Sequence, residues 1–244
     1  MPKTQDGTDQ DDLLLGQSGL DIINGGAGND SIFGFERRDI LNGDAGDDFI
    51  STGGGPDEAY GGPGNDTIEG FVAGGQVELI YGGADNDTLR MNVYDDNFNG
   101  LSSRGWVFGD DGNDRIVIRG DGSGHAYGGA GNDRIILSVD GTDEGFGGAG
   151  NDVLFAGPPG TVDNFGTVSL GGKFDNAGQA LMSGGTGNDR LVGHAQSFDT
   201  FIFRPGDGRD RVDNLIVRDP NWAFDLDNFL PEDMIDLTAF EFEM

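Results

Sequence analysis

The sequence predicts an all-β fold, a right-handed parallel β-roll closed by a C-terminal cap, and three observations carry that reading. From Gly7 the chain runs in unbroken blocks of nine: GTDQDDLLL, GQSGLDIIN, GGAGNDSIF, GFERRDILN, GDAGDDFIS, TGGGPDEAY and GGPGNDTIE. In these blocks position 6 is always aspartate (Asp12, Asp21, Asp30, Asp39, Asp48, Asp57, Asp66), while position 8 is apolar (Leu14, Ile23, Ile32, Leu41, Ile50, Ala59, Ile68). The composition, with 47 Gly among 244 residues and 35% hydrophobic residues, is too poor for a thick core but sufficient for a thin rod.

Each block reads as a glycine-rich turn followed by a very short strand, with position 8 pointing inward and positions 7 and 9 outward. Two blocks make one coil, so turns of alternate blocks stack in two rows. The first row begins at Gly7, Gly25, Gly43 and Gly61 and continues at Gly82, Gly109, Gly128 and Gly147, resuming as GGTGNDRLV at Gly184. The second row starts with Asp21, Asp39 and Asp57, then loses its aspartate spacing in IRGDGSGHAY and LSVDGTDEGF and becomes mainly structural. Residues 1–6 read as a tail and 7–203 as the roll. An insertion falls near 94–104, as insertions in solenoids map to loops. The degenerate stretch 156–183 fits two more half-coils and a weaker turn. Residues 204–244 read as the cap.

The formal net charge is -30, with 36 Asp against 8 Glu. Such a chain repels nucleic acid and anionic membrane surfaces, and resists compaction until something cationic neutralises it. The short arm of Asp suits tight loops, so the position 6 residues would serve as turn formers even without a ligand. A stack of carboxylates at roughly 4.8 Å per coil, however, destabilises the rod unless metal bridges it. A hard cation such as calcium wants six or more oxygens, more than one nonapeptide turn supplies, and two stacked turns meet that demand where the smaller octahedron of magnesium would not. No cysteine is present, which fits an extracellular protein stapled by metal instead of disulfides.

The register, with GND at Asn29-Asp30, Asn65-Asp66, Asn132-Asp133, Asn151-Asp152 and Asn188-Asp189, resembles the repeats-in-toxin, or hemolysin-type calcium-binding, family. The resemblance implies that each calcium sits between two successive turns of one row, bracketed by pairs such as Asp30/Asp48, Asp48/Asp66, Asp114/Asp133 and Asp133/Asp152. Asp12, Asp87 and Asp189 extend that row, and Asp21 and Asp39 belong to the opposite one. The implied carbonyl ligands come from Gly25, Gly26, Ala27, Gly28, Gly43, Ala45, Gly46, Gly61, Gly62, Gly64, Gly82, Gly109, Gly112, Gly128, Gly129, Ala130, Gly131, Gly147 and Ala149, with Asp152 closing the intact stretch. The closing segment, FDTFIF from Phe198, PGDGRD from Pro205 and MIDLTAF from Met234, resembles the end of serralysin-like secreted proteins. In that family the region carries an uncleaved signal for type I secretion, which matches an N-terminus lacking a signal-peptide pattern. The expectation is a secreted protein that binds several Ca2+ ions and folds on them.

An outward aromatic series, Tyr60, Tyr81, Phe108, Tyr127, Phe146 and Phe165, precedes the intact turns. It reads either as cross-coil stacking or as a face for extracellular polysaccharide or a cell surface. His125 and His194 fall several coils apart and form no dyad. There is no HExxH or GxSxG motif, the repeats begin close to Met1, and no apolar run reaches membrane-spanning length, so no membrane span is expected and a secreted enzyme or its accessory domain is the less favoured alternative.

Overall fold

Two parallel sheets face one another in the computed structural model, which describes residues 2–95, 101–138, 140–157, 179–193, 199–204, 206–213 and 234–236. Strands alternate strictly between the sheets: one holds ten strands and the other eleven among the described residues, each in chain order. The alternation follows from the nine-residue block. Asp21–Ala27 lies in the first sheet, the turn at 25–30 carries the chain across, Ser31–Phe33 lies in the second, and the next turn returns it to Ile40–Ala45. No described helix is long and apolar enough to cross a membrane.

Period-two alternation sends positions 6, 8 and 1 of consecutive blocks to the same, inner side, as in Asp21, Ile23 and Gly25. The apolar core is therefore a single file per sheet. Ile23, Leu41, Ala59, Ile80, Val107, Ala126 and Met182 line one wall, while Ile32, Ile50, Ile68, Leu89, Ile116, Ile135, Leu154 and Leu191 line the other, all essentially inaccessible. Burial of each large aliphatic side chain contributes about 1.5–3 kcal/mol. Where the second row loses its aspartates, Val72, Met91, Val93, Ile118 and Leu137 fill the widened interior instead.

Three expectations change at the ends and at the breaks. Residues 1–6 are not simply a tail: Lys3–Asp6 pairs in register with Asp21 to Asn24 and forms the first strand. Its polar sequence hid this, since Gln5 occupies the position that Ile23 holds in the next coil. Across the stretch 156–183 no described coil intervenes, because Thr142–Ala149 pairs directly with Gln179–Thr186 and Val153–Phe155 with Arg190–Val192. The intervening residues 158–178 lie outside the described ones. The roll also runs past residue 203, since Arg209–Asp213 continues the second sheet beside Arg190–Val192 and pairs on its far side with Met234–Asp236. Strand Thr88–Tyr94 of the second sheet is followed in the chain by Arg104–Asp111 of the first, and residues 96–100 between them lie outside the described ones.

Candidate metal centre

The position 6 aspartates of the first row form an unbroken hydrogen-bonded column along the inside of the turns. The backbone N–H of each donates to Oδ1 of its counterpart one coil on: Asp12 to Asp30 at 2.8 Å, Asp30 to Asp48, Asp48 to Asp66 and Asp66 to Asp87 at 2.7 Å, and Asp87 to Asp114 at 2.8 Å. The column continues from Asp114 to Asp133 at 2.8 Å and from Asp133 to Asp152 and Asp152 to Asp189 at 2.7 Å. Every pair expected from the sequence is thus adjacent. Coil lengths of up to 37 residues, as between Asp152 and Asp189, leave the column intact. Asp189 in turn donates to Asp210 at 3.0 Å, so PGDGRD forms a further turn of the row, which its distance from the repeats concealed.

The second row repeats the arrangement briefly, with Asp21 donating to Asp39 at 2.8 Å and Asp39 to Asp57 at 2.7 Å. Leu79 donates to the Asp57 carbonyl, placing Glu78 at position 6 of the next coil. Glu78 is fully buried and accepts the Thr52 hydroxyl at 2.6 Å. A longer connection hides it from the nine-residue count. Burial raises its carboxyl to about 8.

What distinguishes the columns chemically is their second oxygen. Oδ2 of Asp30, Asp39, Asp48, Asp57, Asp66, Asp87, Asp114, Asp133, Asp152 and Asp189 is buried without a hydrogen-bond partner. Buried polar atoms are ordinarily satisfied, so ten such atoms in repeating positions demand a common partner. Burial, with neighbouring carboxylates adding to it, drives these groups up against the lowering effect of the backbone bond: Asp39, Asp114, Asp133 and Asp152 to about 6, Asp57, Asp66 and Asp189 to about 7, and Asp87 to about 8. A divalent cation satisfies the oxygens and offsets the charge together.

The main chain completes the donor set. A Cβ on Gly25 would run into both Asp30 Oδ2 and the Gly43 carbonyl oxygen, and the same two kinds of oxygen crowd Gly43, Gly61, Gly82, Gly109, Gly128 and Gly147. Glycine thus keeps open a cradle with a carboxylate oxygen on one side and the next coil's carbonyl on the other. Calcium accepts carbonyl as well as carboxylate oxygens, and both kinds line this cradle. Ala45, Ala130 and Ala149 accept the N–H of Gly28, Gly112 and Gly131, so these carbonyls also tie successive coils together.

A second column, not foreseen from the sequence, runs along the outer edge of the same turns. At position 5, Asn86 donates its backbone N–H to Oδ1 of Asn65, Asn113 to Asn86, Asn132 to Asn113, Asn151 to Asn132 and Asn188 to Asn151, at 2.7–3.1 Å. This column points towards the N-terminus, opposite to the aspartate column.

These repeats match the family described as RTX calcium-binding nonapeptide repeat (4 copies) over residues 6–34, 33–68, 72–90, 137–158 and 176–197, just over half of the chain. The chain belongs to this RTX family. It is a calcium-binding β-roll, and the matched segments hold the buried Asp30, Asp48, Asp66, Asp87, Asp152 and Asp189, with Asp114 and Asp133 of the same column between them. Among solved structures it is similar to a hyperactive, Ca2+-dependent, β-helical antifreeze protein from an Antarctic bacterium, at 23% identity and a TM-score of 0.50. The match covers 85% of this chain and 65% of that one and concerns the fold alone. No curated protein matches the chain.

Elsewhere on the RTX roll, Tyr60, Tyr81, Phe108, Tyr127 and Phe146 occupy one register position on successive coils. Neighbouring rings lie 4.8–5.1 Å apart and within 12° of parallel, so each covers the faces of the next. Phe165 lies outside the described residues, and the position after Phe146 belongs to Ser183. His125 stacks on Trp106 at 4.0 Å and meets Glu144 at 3.1 Å. His194 lies outside the described residues.

Proposed function

We propose that this chain is a secreted, non-enzymatic RTX protein that is unfolded at cytosolic calcium and folds when the higher calcium outside the cell fills its turns. The observation that carries this is the repeated buried Oδ2 without a partner. A column of close carboxylates opposes folding until cations neutralise it, which couples the ion to the fold. The proposed ligands are the carboxylates of Asp30, Asp48, Asp66, Asp87, Asp114, Asp133, Asp152 and Asp189 in the first row and Asp39 in the second. Asp57 joins them, and the position 1 carbonyls supply main-chain oxygens. Export by a type I system through the C-terminal segment accords with this scheme, since a charge of -30 favours an extended chain before calcium is met.

The alternative, a module holding extracellular polysaccharide or a cell surface against the aromatic ladder, has less support. Sugar rings bind aromatic faces, and here the faces are spent on neighbouring rings.

Far-UV circular dichroism during a calcium titration, with magnesium as control, tests the main reading. Reversible gain of β signal specific to calcium is expected. A chain equally folded in metal-stripped buffer at neutral pH would refute it.

A further inference from the structure

Among the described residues, thirteen turns up to Asp189 carry an aspartate at position 6, and they are of two kinds. In ten of them Oδ2 has no hydrogen-bond partner. In the other three it is closed by its own turn: Asp12 Oδ2 accepts the Thr8 N–H at 2.7 Å, Asp21 Oδ2 the Gln17 N–H at 2.6 Å, and Asp143 Oδ2 the Ser138 N–H at 2.7 Å.

The division coincides with one backbone torsion. In the ten open turns the residue after position 1 is left-handed, with φ between 70° and 118°: Gly26, Phe35, Asp44, Gly53, Gly62, Gly83, Asp110, Gly129, Gly148 and Gly185. In the three closed turns the equivalent residues, Thr8, Gln17 and Ser138, are not left-handed. This torsion orients the peptide between positions 1 and 2. In one orientation its N–H faces the aspartate and caps it. In the other the N–H turns away and the carboxylate oxygen is left for another partner. Phe35 adopts the second orientation although bulky L residues avoid it, so there the conformation answers to something other than residue preference, while Asp44 and Asp110 tolerate it more readily.

We propose that calcium occupies only the turns whose position 2 residue is left-handed, and that the turns ending in Asp12, Asp21 and Asp143 are closed by their own N–H and take no ion of their own. This rests on the reading of the roll as a calcium-binding protein. It removes Asp12 and Asp21 from the ligands expected from the sequence, although they share position 6 with the rest, and adds Asp57. It also makes the turns ending in Asp12 and Asp21 calcium-independent coils, on which the neighbouring ion-holding coils stack.

Calcium counting on the full chain tests the assignment. Equilibrium dialysis at saturating calcium gives the number of ions for the parent and for single variants checked for native β signal. Asp48→Asn, Asp66→Asn and Asp133→Asn are each expected to lose one ion, whereas Asp12→Asn, Asp21→Asn and Asp143→Asn keep the parent number. Loss of an ion in any of the last three, or no loss in the first three, overturns the proposal. Where a variant fails to fold, an anomalous difference map of the parent crystallised in calcium decides instead: peaks are expected in the ten open turns, and a peak in any closed turn overturns the assignment. A parent that binds no calcium at all would refute the calcium reading itself, which is a different result from uniform filling of all thirteen turns.

Discussion

The backbone N–H of Asp66 donates to Oδ1 of Asp87 at 2.7 Å, while Oδ2 of Asp87 has no partner. One carboxylate thus has two tasks, and they belong to different energetic terms. Oδ1 ties two coils together and Oδ2 waits for a charge. The column is held by hydrogen bonds that exist without metal, but it is electrostatically unfavourable without it.

Replacing Asp87 by Asn separates these tasks. The amide oxygen still accepts the Asp66 N–H, and only the charged oxygen is lost. With calcium at tenfold its dissociation constant, the variant forfeits roughly 1.4 kcal/mol by mass action. In metal-stripped buffer at pH 8 it is expected to be no less stable than the parent, because burial penalises the ionised form of this carboxyl, whose titration is raised to about 8. Urea melts in calcium and in metal-stripped buffer check the change of sign. A loss of equal size in both would mean that Asp87 is a hydrogen-bonding residue only.

The raised carboxyls also set a pH dependence. Asp57, Asp66 and Asp189 titrate at about 7 in the folded chain against an ordinary 3.8, so between these values the folded state binds more protons than the unfolded one. Stability of the metal-free chain therefore falls as pH rises through this window. Circular dichroism in metal-stripped buffer is expected to show more β structure at pH 5 than at pH 8. In calcium the trend reverses, since protons compete with the ion and the calcium midpoint rises as pH falls. A metal-free chain that gains structure towards pH 8 would contradict the assignment of the buried oxygens.

Much of this was legible in the sequence because a nine-residue period fixes both the inward file, Ile23 to Leu191, and the adjacency of Asp30 with Asp48 and Asp133 with Asp152. The period fails where physical constraint is weak. Residues 158–178 fitted the block length loosely, yet the described strands on either side of them pair directly. The position beside Phe146 is therefore taken by Ser183. Glu78 was hidden by a longer connection and Asp210 by the degenerate sequence before it. The left-handed torsion of Phe35 had no sequence signal, because a bulky residue does not prefer that conformation and takes it from the geometry of the turn.

The aromatic ladder predicts a purely structural phenotype. Phe108 stacks on Tyr81 at 4.8 Å and on Tyr127 at 5.0 Å, so Phe108→Ala removes two stacked pairs. Each pair is worth about 0.5–1.5 kcal/mol, and the variant should melt earlier by the sum while binding the same number of calcium ions. Thermal melts in saturating calcium, together with ion counting, test this. A lost ion would show that the ladder and the turn are coupled.

Glycine at position 1 gives the sharpest test of the cradle, because space and torsion can be separated there. Gly61 does not have the left-handed φ of its neighbour Gly62, so alanine carries no torsional strain at that site. Its Cβ would instead strike Asp66 Oδ2 and the Gly82 carbonyl, one of which is backbone and neither of which can move far without opening the coil. Gly61→Ala is expected to cost about 1–3 kcal/mol, as overpacking does, and to weaken or abolish the ion held by Asp66. Gly54 is the control: it too has no left-handed φ, and a Cβ there meets nothing within 4 Å. Gly54→Ala should leave calcium binding unchanged and slightly raise stability, through the lower entropy of the unfolded chain. If both substitutions behave alike in calcium titrations followed by circular dichroism, the ion does not lie between position 1 and the aspartate, and the carbonyl of Gly82 is not among its ligands.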